Sequence, residues 1–150
     1  MARTEPVILT NMCMICDGDR ILVQNRKDPG WSGITFPGCH VEPRESLVKS
    51  TIREIKEETG LDISNLQLCG ITQWTAEDDS YRYMVILYKT NTFSGELRSS
   101  EEGEVFWIDR KDLFNYPLAY EFDKTLPLFE ADQLSENYFW FDETWHSENL

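Results

Sequence analysis

Basic residues are scarce in this chain. The 150 residues include 14 lysines and arginines against 27 aspartates and glutamates, for a formal net charge of -13. Because basic surfaces bind phosphate backbones, this balance predicts that no nucleic-acid polymer is a partner. A small nucleotide remains compatible with the charge, since a bound metal ion can supply the missing positive charge.

Long apolar runs are also missing. No run approaches the roughly 18 residues that a membrane-spanning helix needs. The first residues, MARTEPVILTNM, lack a basic segment followed by a long apolar one, which a signal peptide would show. We therefore expect a cytoplasmic protein that contacts no membrane.

The four cysteines, Cys13, Cys16, Cys39 and Cys69, are too few and too irregularly spaced for a disulfide scaffold. Cys13 and Cys16 form a C-x-x-C pair, but no second pair completes a zinc site. The pair lies in a strand-like run, where an odd separation points the two side chains to opposite faces of a sheet. A reduced chain is the simpler interpretation.

Apolar and aromatic residues, by contrast, are plentiful at 41% and 13% of the chain, which predicts a folded globule. The length suits a single domain over residues 1–150, with an aromatic tail from about residue 133. That tail is expected to form an edge strand or to pack against the domain or a partner subunit in a homodimer. Periodicity and turn residues predict a mixed α/β domain, with strands at 7–16, 21–26, 34–36, 40–41, 66–75, 81–90, 97–100, 105–108 and 137–141, a turn at 62–65, and helices at 46–59 and 121–131.

The most informative stretch is residues 38–61, which holds five glutamates around one predicted helix. Ser46 is the expected N-cap and Gly60 the C-terminal stop. A core stripe is predicted for Val48, Thr51, Ile52, Ile55 and Thr59. The glutamates of the stretch are Glu42, Glu45, Glu54, Glu57 and Glu58.

Three of these glutamates, Glu54, Glu57 and Glu58, stand at positions i, i+3 and i+4 of the helix. Their side chains therefore fall within an arc about 100° wide, where like charges repel. Clustered carboxylates of this kind are typical of a site for a hard cation such as Mg²⁺, which can activate water while a phosphorus–oxygen bond breaks. The alternative is a solvated charged face, in which Arg53 and Lys56 offset the glutamates.

The order of these residues resembles the signature of the Nudix hydrolases, G-x5-E-x7-R-E-U-x-E-E-x-G-U, where U is a bulky aliphatic residue. Glu45 is followed by seven residues and then by Arg53-Glu54-Ile55-Lys56-Glu57-Glu58-Thr59-Gly60-Leu61, which meets every later fixed position. The one departure is Cys39, which stands where the signature has its first glycine, after Gly38. A less specific resemblance extends from about residue 7 to residue 129.

The resemblance implies an α/β/α sandwich with a mixed sheet, and a metal-dependent hydrolysis of a nucleoside diphosphate linked to another group. It implies Mg²⁺ as the cofactor, with Mn²⁺ as a substitute. The implied metal ligands are Glu57 and Glu58, joined by Glu54, the Gly38 carbonyl and an acidic residue of a later loop. For that residue we choose Glu102 over its acidic neighbours Glu101 and Glu104.

The resemblance also assigns catalytic roles. Glu54 becomes a candidate general base for the attacking water, Arg53 orients the carboxylates, and Glu45 supports that network. For Cys39 two outcomes are open. If the position needs φ > 0, cysteine displaces the loop and weakens metal placement; if it needs only a small residue, activity survives, and we expect survival.

Three residues are candidates for substrate binding. Arg26 ends the second predicted strand and is a candidate phosphate contact, while Trp31 and Tyr120 are candidates to stack on a base. For each, an ordinary surface or packing role is the alternative. The expected activity is that of a MutT-like pyrophosphohydrolase, which converts a nucleoside triphosphate, including oxidised purines such as 8-oxo-dGTP, to the monophosphate and pyrophosphate. The alternatives are hydrolysis of ADP-ribose, a dinucleoside polyphosphate or another nucleotide conjugate, and a catalytically weak nucleotide-binding module damaged by Cys39.

Overall fold

Strands and helices alternate along the chain much as its apolar patterning predicts. The computed structural model describes residues 3–150. In order, its elements are β1 (Val7–Asp17), β2 (Arg20–Arg26), β3 (Gly33–Thr35), α1 (Leu47–Thr59), β4 (Leu61–Ser64), β5 (Gln67–Thr75), β6 (Arg82–Thr90), β7 (Thr92–Gly95), β8 (Gly103–Asp109), a 3-10 helix (Arg110–Asn115), α2 (Phe122–Glu130), β9 (Glu136–Asp142) and β10 (Thr144–Asn149).

Strand β1 lies in the middle of a mixed sheet. It pairs in parallel with β6, from Val7 opposite Arg82 onward, and its end forms a hairpin with β2. The strand order is β10-β9-β5-β6-β1-β2-β3, with β8 also paired to β2, and β4 and β7 form a separate two-stranded sheet. The β1–β2, β5–β6 and β9–β10 pairs are antiparallel hairpins, whereas the parallel β1–β6 pair requires the long crossover that contains α1.

The two helices cover different apolar clusters. One cluster includes Phe122 and Phe129 of α2, whose rings pack nearly perpendicular to the ring of Phe36 at centroid distances of 5.0 and 5.1 Å. The other includes Ile55 of α1. Cys13 belongs to the α1 cluster and Cys16 packs against the α2 cluster, so the two cysteines face opposite sides of β1, as predicted. The result is a sheet between two helical layers.

Local capping sets both ends of α1, as its sequence predicts. The Ser46 hydroxyl accepts a hydrogen bond from the Lys49 N–H at 3.3 Å. Gly60 adopts φ 79°, and its N–H donates to the Lys56 carbonyl at 3.0 Å. Because residues with a Cβ rarely adopt this conformation, glycine ends the helix and turns the chain into β4.

The buried face of α1 differs from the predicted stripe. Thr51, Ile55 and Thr59 are buried as expected, but the assignment of Val48 to the core is wrong, since it is 40% exposed. Part of the buried face is instead taken by polar side chains, Ser50, Glu54 and Glu58. The helix is therefore rotated so that two of its glutamates point inward, which the apolar pattern alone did not predict.

Several strand predictions also need correction. The predicted turn at 62–65 is mostly strand β4, whose alternating buried residues Leu61 and Ile63 are a strand pattern of only four residues. At 97–100 there is only a single bridge, between Ser100 and Gly103, and the Arg98 N–H donates instead to the Thr59 carbonyl at the end of α1. At 40–41 there is a single bridge, between Thr10 and His40.

The aromatic tail forms the β9–β10 hairpin at the sheet edge. Strand β9 pairs in parallel with β5, beginning with Ile71 opposite Glu136. Strand β10, which the sequence did not predict, pairs antiparallel with β9, with Thr144 opposite Asp142. Within residues 3–150, neither helix is long and apolar enough to cross a bilayer.

Candidate metal and substrate site

The Gly38 loop runs beside β1 and brings the start of the acidic stretch against the sheet. The Cys13 N–H donates to the Pro37 carbonyl at 3.0 Å, and the Asn11 N–H donates to the Cys39 carbonyl at 2.8 Å. The approach is so close that a Cβ on Gly38, at φ 154°, would lie 2.1 Å from the Asn11 carbonyl oxygen. Glycine at position 38 is therefore a steric requirement.

Cys39 does not share this restriction. Arg44, Asn65, Asp79, Glu121 and Glu143 are the non-glycine residues with positive φ in the described chain, and Cys39 is not one of them. Its N–H donates to the Asn11 side-chain oxygen at 3.2 Å, which holds the residue in place. Of the two outcomes that the sequence left open, the backbone supports the one in which cysteine fits without displacing the loop.

Glu58 is the most deeply placed of the predicted ligands, at 2% exposure. Its Oε2 accepts hydrogen bonds from Gln24 Nε2 at 3.2 Å and from the Gly38 N–H at 3.1 Å. Its Oε1 is buried without a hydrogen-bond partner. Burial above all, together with the nearby Glu54 charge, raises the pKa of Glu58 to about 7, although the hydrogen bond from the Gly38 N–H lowers it.

Arg53 gathers three of the remaining glutamates. Its Nε and Nη2 donate to the two carboxylate oxygens of Glu45 at 2.7 and 2.9 Å, and Nη1 donates to Glu54 at 2.8 Å and to Glu57 at 3.3 Å. These bonds lower the pKa of Glu45 to about 2. The flat, multidentate guanidinium suits this task better than a lysine would, because it fixes the direction of each carboxylate.

Cys39, Glu54 and Glu58 form a compact cluster, here called the 39-54-58 cluster. Each residue offers one ligand atom, and these atoms all lie within 4.8 Å of one another. Burial raises the pKa of Glu54 although Arg53 lowers it. Two buried carboxylates with an unpartnered oxygen are costly without a compensating charge, so the residues present fit a divalent cation.

The other two predicted acidic ligands, Glu57 and Glu102, do not belong to the cluster. The Glu57 side chain is 58% exposed and contacts Arg53. Glu102 is exposed and is not one of the three clustered residues, but its charge raises the pKa of both Glu54 and Glu58. Its carbonyl accepts the Lys27 N–H at 3.3 Å, so the loop is held at the end of β2.

A cleft of about 480 Å³ opens beside the cluster and is lined by Gly38, Cys39 and all three predicted substrate residues. The Arg26 guanidinium lies 5.3 Å from the centre of the Trp31 ring, and its Nε is buried without a partner. Trp31 Nε1 donates to the Tyr120 carbonyl at 2.8 Å, which joins the two predicted stacking residues.

Several residues of the site were not found from the sequence. Gln24, fully buried in β2, donates a hydrogen bond to Glu58. The only hint in the sequence is that this polar residue directly follows the apolar residues Ile21, Leu22 and Val23. Phe139 and Trp145 of the β9–β10 hairpin line the cleft. Trp145 Nε1 also donates to Glu77 at 3.0 Å, which ties the hairpin to the turn between β5 and β6. No local signal in the sequence pointed to these two aromatic residues.

The raised pKa of Glu58 predicts a pH-dependent stability. Because the folded pKa is about 7 and the ordinary value is 4.5, the stabilising contribution of protonated Glu58 is fully present below pH 4.5 and is lost as the pH rises to about 7. We expect a loss of about 3 kcal/mol in the free energy of unfolding of the metal-free protein over that window.

Urea unfolding of the protein and of Glu58→Gln, both treated with a chelator, measures this effect. The difference between the two curves isolates Glu58, because the other groups titrate in both proteins. If the free energy of unfolding fell as steeply with pH in Glu58→Gln as in the wild type, the prediction would be contradicted. A divalent cation should also reduce the wild-type slope, since it compensates the ionised carboxylate.

The whole chain can also be compared with known proteins. Residues 8–129 match a family model described as NUDIX domain. The nucleoside triphosphatase NudI of Escherichia coli is 31% identical over 131 residues, covering 75% of this chain and 88% of the relative. The ADP-ribose pyrophosphatase of Methanocaldococcus jannaschii is 28% identical over 126 residues, or 81% and 72% of the two chains. The crystal structure of a MutT protein from Bacillus halodurans aligns with a TM-score of 0.76 at 24% identity, covering 94% and 97% of the two chains, and confirms the predicted fold class.

Proposed function

The chain belongs to the Nudix hydrolase family, which cleaves phosphoanhydride bonds, and we propose that it is a Mg²⁺-dependent nucleoside triphosphate pyrophosphohydrolase. Its products would be a nucleoside monophosphate and pyrophosphate. The observation that carries the proposal is the pair of buried carboxylates, Glu54 and Glu58, which cluster with Cys39, a residue that lines the aromatic-walled cleft. A bound cation would offset the free-energy cost of the buried Glu58 oxygen that has no hydrogen-bond partner.

The proposed ligands are all oxygen atoms, which favours Mg²⁺, with Mn²⁺ as a substitute. They are the Gly38 carbonyl and the carboxylates of Glu54, Glu57, Glu58 and Glu102. When bound, the metal neutralises phosphate charge and lowers the pKa of water. The chain's own contribution is to orient these groups and to move the proton of the attacking water.

Arg53 and Glu45 do the orienting in this proposal. Glu45 accepts two hydrogen bonds from Arg53, which leaves Arg53 Nη1 directed at Glu54 and Glu57. A carboxylate held in this way keeps one geometry while charge develops on the substrate. Glu54 is then placed to accept the proton of the attacking water, and burial raises its pKa toward the range that a general base needs.

The substrate end of the cleft supplies one cation and several flat rings. Arg26, with an unpartnered Nε, is the proposed phosphate contact, and Trp31 and Tyr120 are the proposed base contacts. Phe139 and Trp145 add aromatic surface from the β9–β10 hairpin, which lies beyond the segment that matches the family. Base-stacking surfaces of this kind tolerate any base, so oxidised purines such as 8-oxo-dGTP belong to the proposed substrate class.

A nucleotide conjugate such as ADP-ribose is the second candidate substrate. The relative named an ADP-ribose pyrophosphatase supports it, as the NudI relative supports a triphosphate. The third alternative, a catalytically weak binding module, depended on strain at Cys39, and the backbone there has none of the positive φ that such strain requires.

Hydrolysis of a nucleotide panel tests the proposal. The panel contains the common nucleoside triphosphates, 8-oxo-dGTP, ADP-ribose and a dinucleoside tetraphosphate, each with Mg²⁺ and with a chelator. We expect Mg²⁺-dependent release of pyrophosphate and a monophosphate from a triphosphate. If only ADP-ribose were hydrolysed, to AMP and ribose phosphate, the proposed substrate would change from a nucleoside triphosphate to a nucleotide conjugate. Tight nucleotide binding without any hydrolysis would overturn the enzyme assignment.

A further inference from the structure

The side chain of Cys39 lies inside the carboxylate cluster. Its sulfur is within 4.8 Å of a ligand oxygen of both Glu54 and Glu58. The family signature has glycine at this position, so a chain that follows the signature has no side chain there. The sulfur is thus a donor that the proposed Mg²⁺ set does not include, and Mg²⁺ has little affinity for it because it prefers oxygen.

Thiolate sulfur selects a different class of ion. Together with two carboxylates it favours borderline and soft cations, of which Zn²⁺ is bound by cysteine and by acidic residues in proteins. We propose that Cys39, Glu54 and Glu58 form a binding site for a thiophilic divalent cation such as Zn²⁺ or Cd²⁺, overlapping the proposed Mg²⁺ site. The inference shares two carboxylates with the proposed function but does not require hydrolysis.

A second observation, independent of the cysteine, points to a cation. Glu58 Oε1 is buried and has no hydrogen-bond partner, while Oε2 is already occupied by Gln24 and the Gly38 N–H. A buried carboxylate oxygen without a partner costs free energy unless a cation or a proton compensates it. Glu58 therefore offers one oriented ligand oxygen, and Cys39 and Glu54 add one ligand atom each.

The geometry needs only a small adjustment. Zinc–sulfur and zinc–oxygen bonds are about 2.3 and 2.1 Å, so ligand atoms up to 4.8 Å apart must close by about 1 Å. The backbone of Cys39 is held on both sides by Asn11, which leaves the movement to side chains. Three protein ligands then leave a position for water, and binding transfers the thiol proton to solvent.

Cadmium titration tests the site directly, because a cadmium–thiolate bond gives an ultraviolet charge-transfer band that carboxylates do not give. We expect chelator-stripped, reduced protein to develop this band and to saturate at one Cd²⁺ per chain. Cys39→Ser should abolish the band, and excess Mg²⁺ should reduce it in the wild type. By calorimetry, Zn²⁺ affinity should fall about 100-fold or more in Cys39→Ser, since even residues outside a coordination shell contribute about 10–100-fold.

Cys69→Ser is the matched control, since Cys69 is also a partly buried free cysteine but lies outside the 39-54-58 cluster. It should keep the band, whereas Glu58→Gln, checked for folding by circular dichroism, should weaken it. A wild type without the band, or a band that survives in Cys39→Ser, would overturn the inference. The titration uses no nucleotide, so failure of the proposed hydrolase in the substrate panel leaves its result unaffected.

Discussion

Glu58→Gln is expected to reduce Mg²⁺-dependent turnover about 1000-fold while leaving the protein folded. Glutamine keeps the size of the side chain and can still accept the Gly38 N–H at its amide oxygen. What it removes is the buried negative charge that would bind a cation, since Oε1 has no hydrogen-bond partner. The measurement is kcat on the best substrate of the panel, with Mg²⁺ in excess.

The control for this variant is Glu148→Gln, an isosteric change at an exposed position of β10. It should retain wild-type turnover, which excludes an effect of net charge alone. Circular dichroism and thermal unfolding are the measurements that test whether Glu58→Gln is folded. Turnover within about tenfold of the wild type in a folded Glu58→Gln would contradict the proposed role of Glu58 as a metal ligand.

The parts of the site that could be predicted depend on local sequence. The spacing of Glu54, Glu57 and Glu58 places them on one side of a helix, whatever that helix packs against. Ser46 and Gly60 set the ends of the same helix through bonds within a few residues. Such features need no knowledge of distant strands, and for this reason the sequence predicts them well.

The parts that could not be predicted depend on long-range contacts. Glu57 and Glu58 look equivalent in sequence, yet Glu58 is buried because Gln24 and Gly38, 34 and 20 residues away, meet its carboxylate. Glu57, the preceding residue of the helix, faces solvent, with a side chain that is 58% exposed. The inward rotation of α1, which exposes Val48, has the same origin, since the helix is oriented by polar contacts as well as by its apolar residues.

Strand β10 shows a different limit. Its residues, TWHSEN, are mostly polar and exposed, so they lack the alternation that signals a half-buried strand. The strand forms because its neighbour β9 is held by parallel pairing with β5, and the hairpin then completes the edge. The aromatic wall that Trp145 gives to the cleft follows from this pairing and has no local signature.

Gly38→Ala is expected to lower the free energy of unfolding by about 3 kcal/mol or more. The new Cβ would lie 2.1 Å from the Asn11 carbonyl oxygen and 2.7 Å from the Met12 Cα, so the loop must move away from β1. Overpacking of this kind costs about 1–3 kcal/mol, and the lost hydrogen bond between the Gly38 N–H and Glu58 leaves a second buried group unpaired at a similar cost.

Cys39→Ala, one residue along, provides the matched comparison. It keeps a Cβ where one already exists and leaves the backbone bonds to Asn11 in place, so about 1 kcal/mol or less should be lost. Urea unfolding of both variants without metal, at one pH, measures the contrast, and equal losses would contradict a steric role confined to position 38. Since the Gly38 N–H also holds the buried carboxylate, folded Gly38→Ala should bind divalent cations more weakly as well. One glycine therefore accounts both for the close approach to β1, because it has no Cβ, and for the position of the Glu58 carboxylate, because its N–H donates to that group.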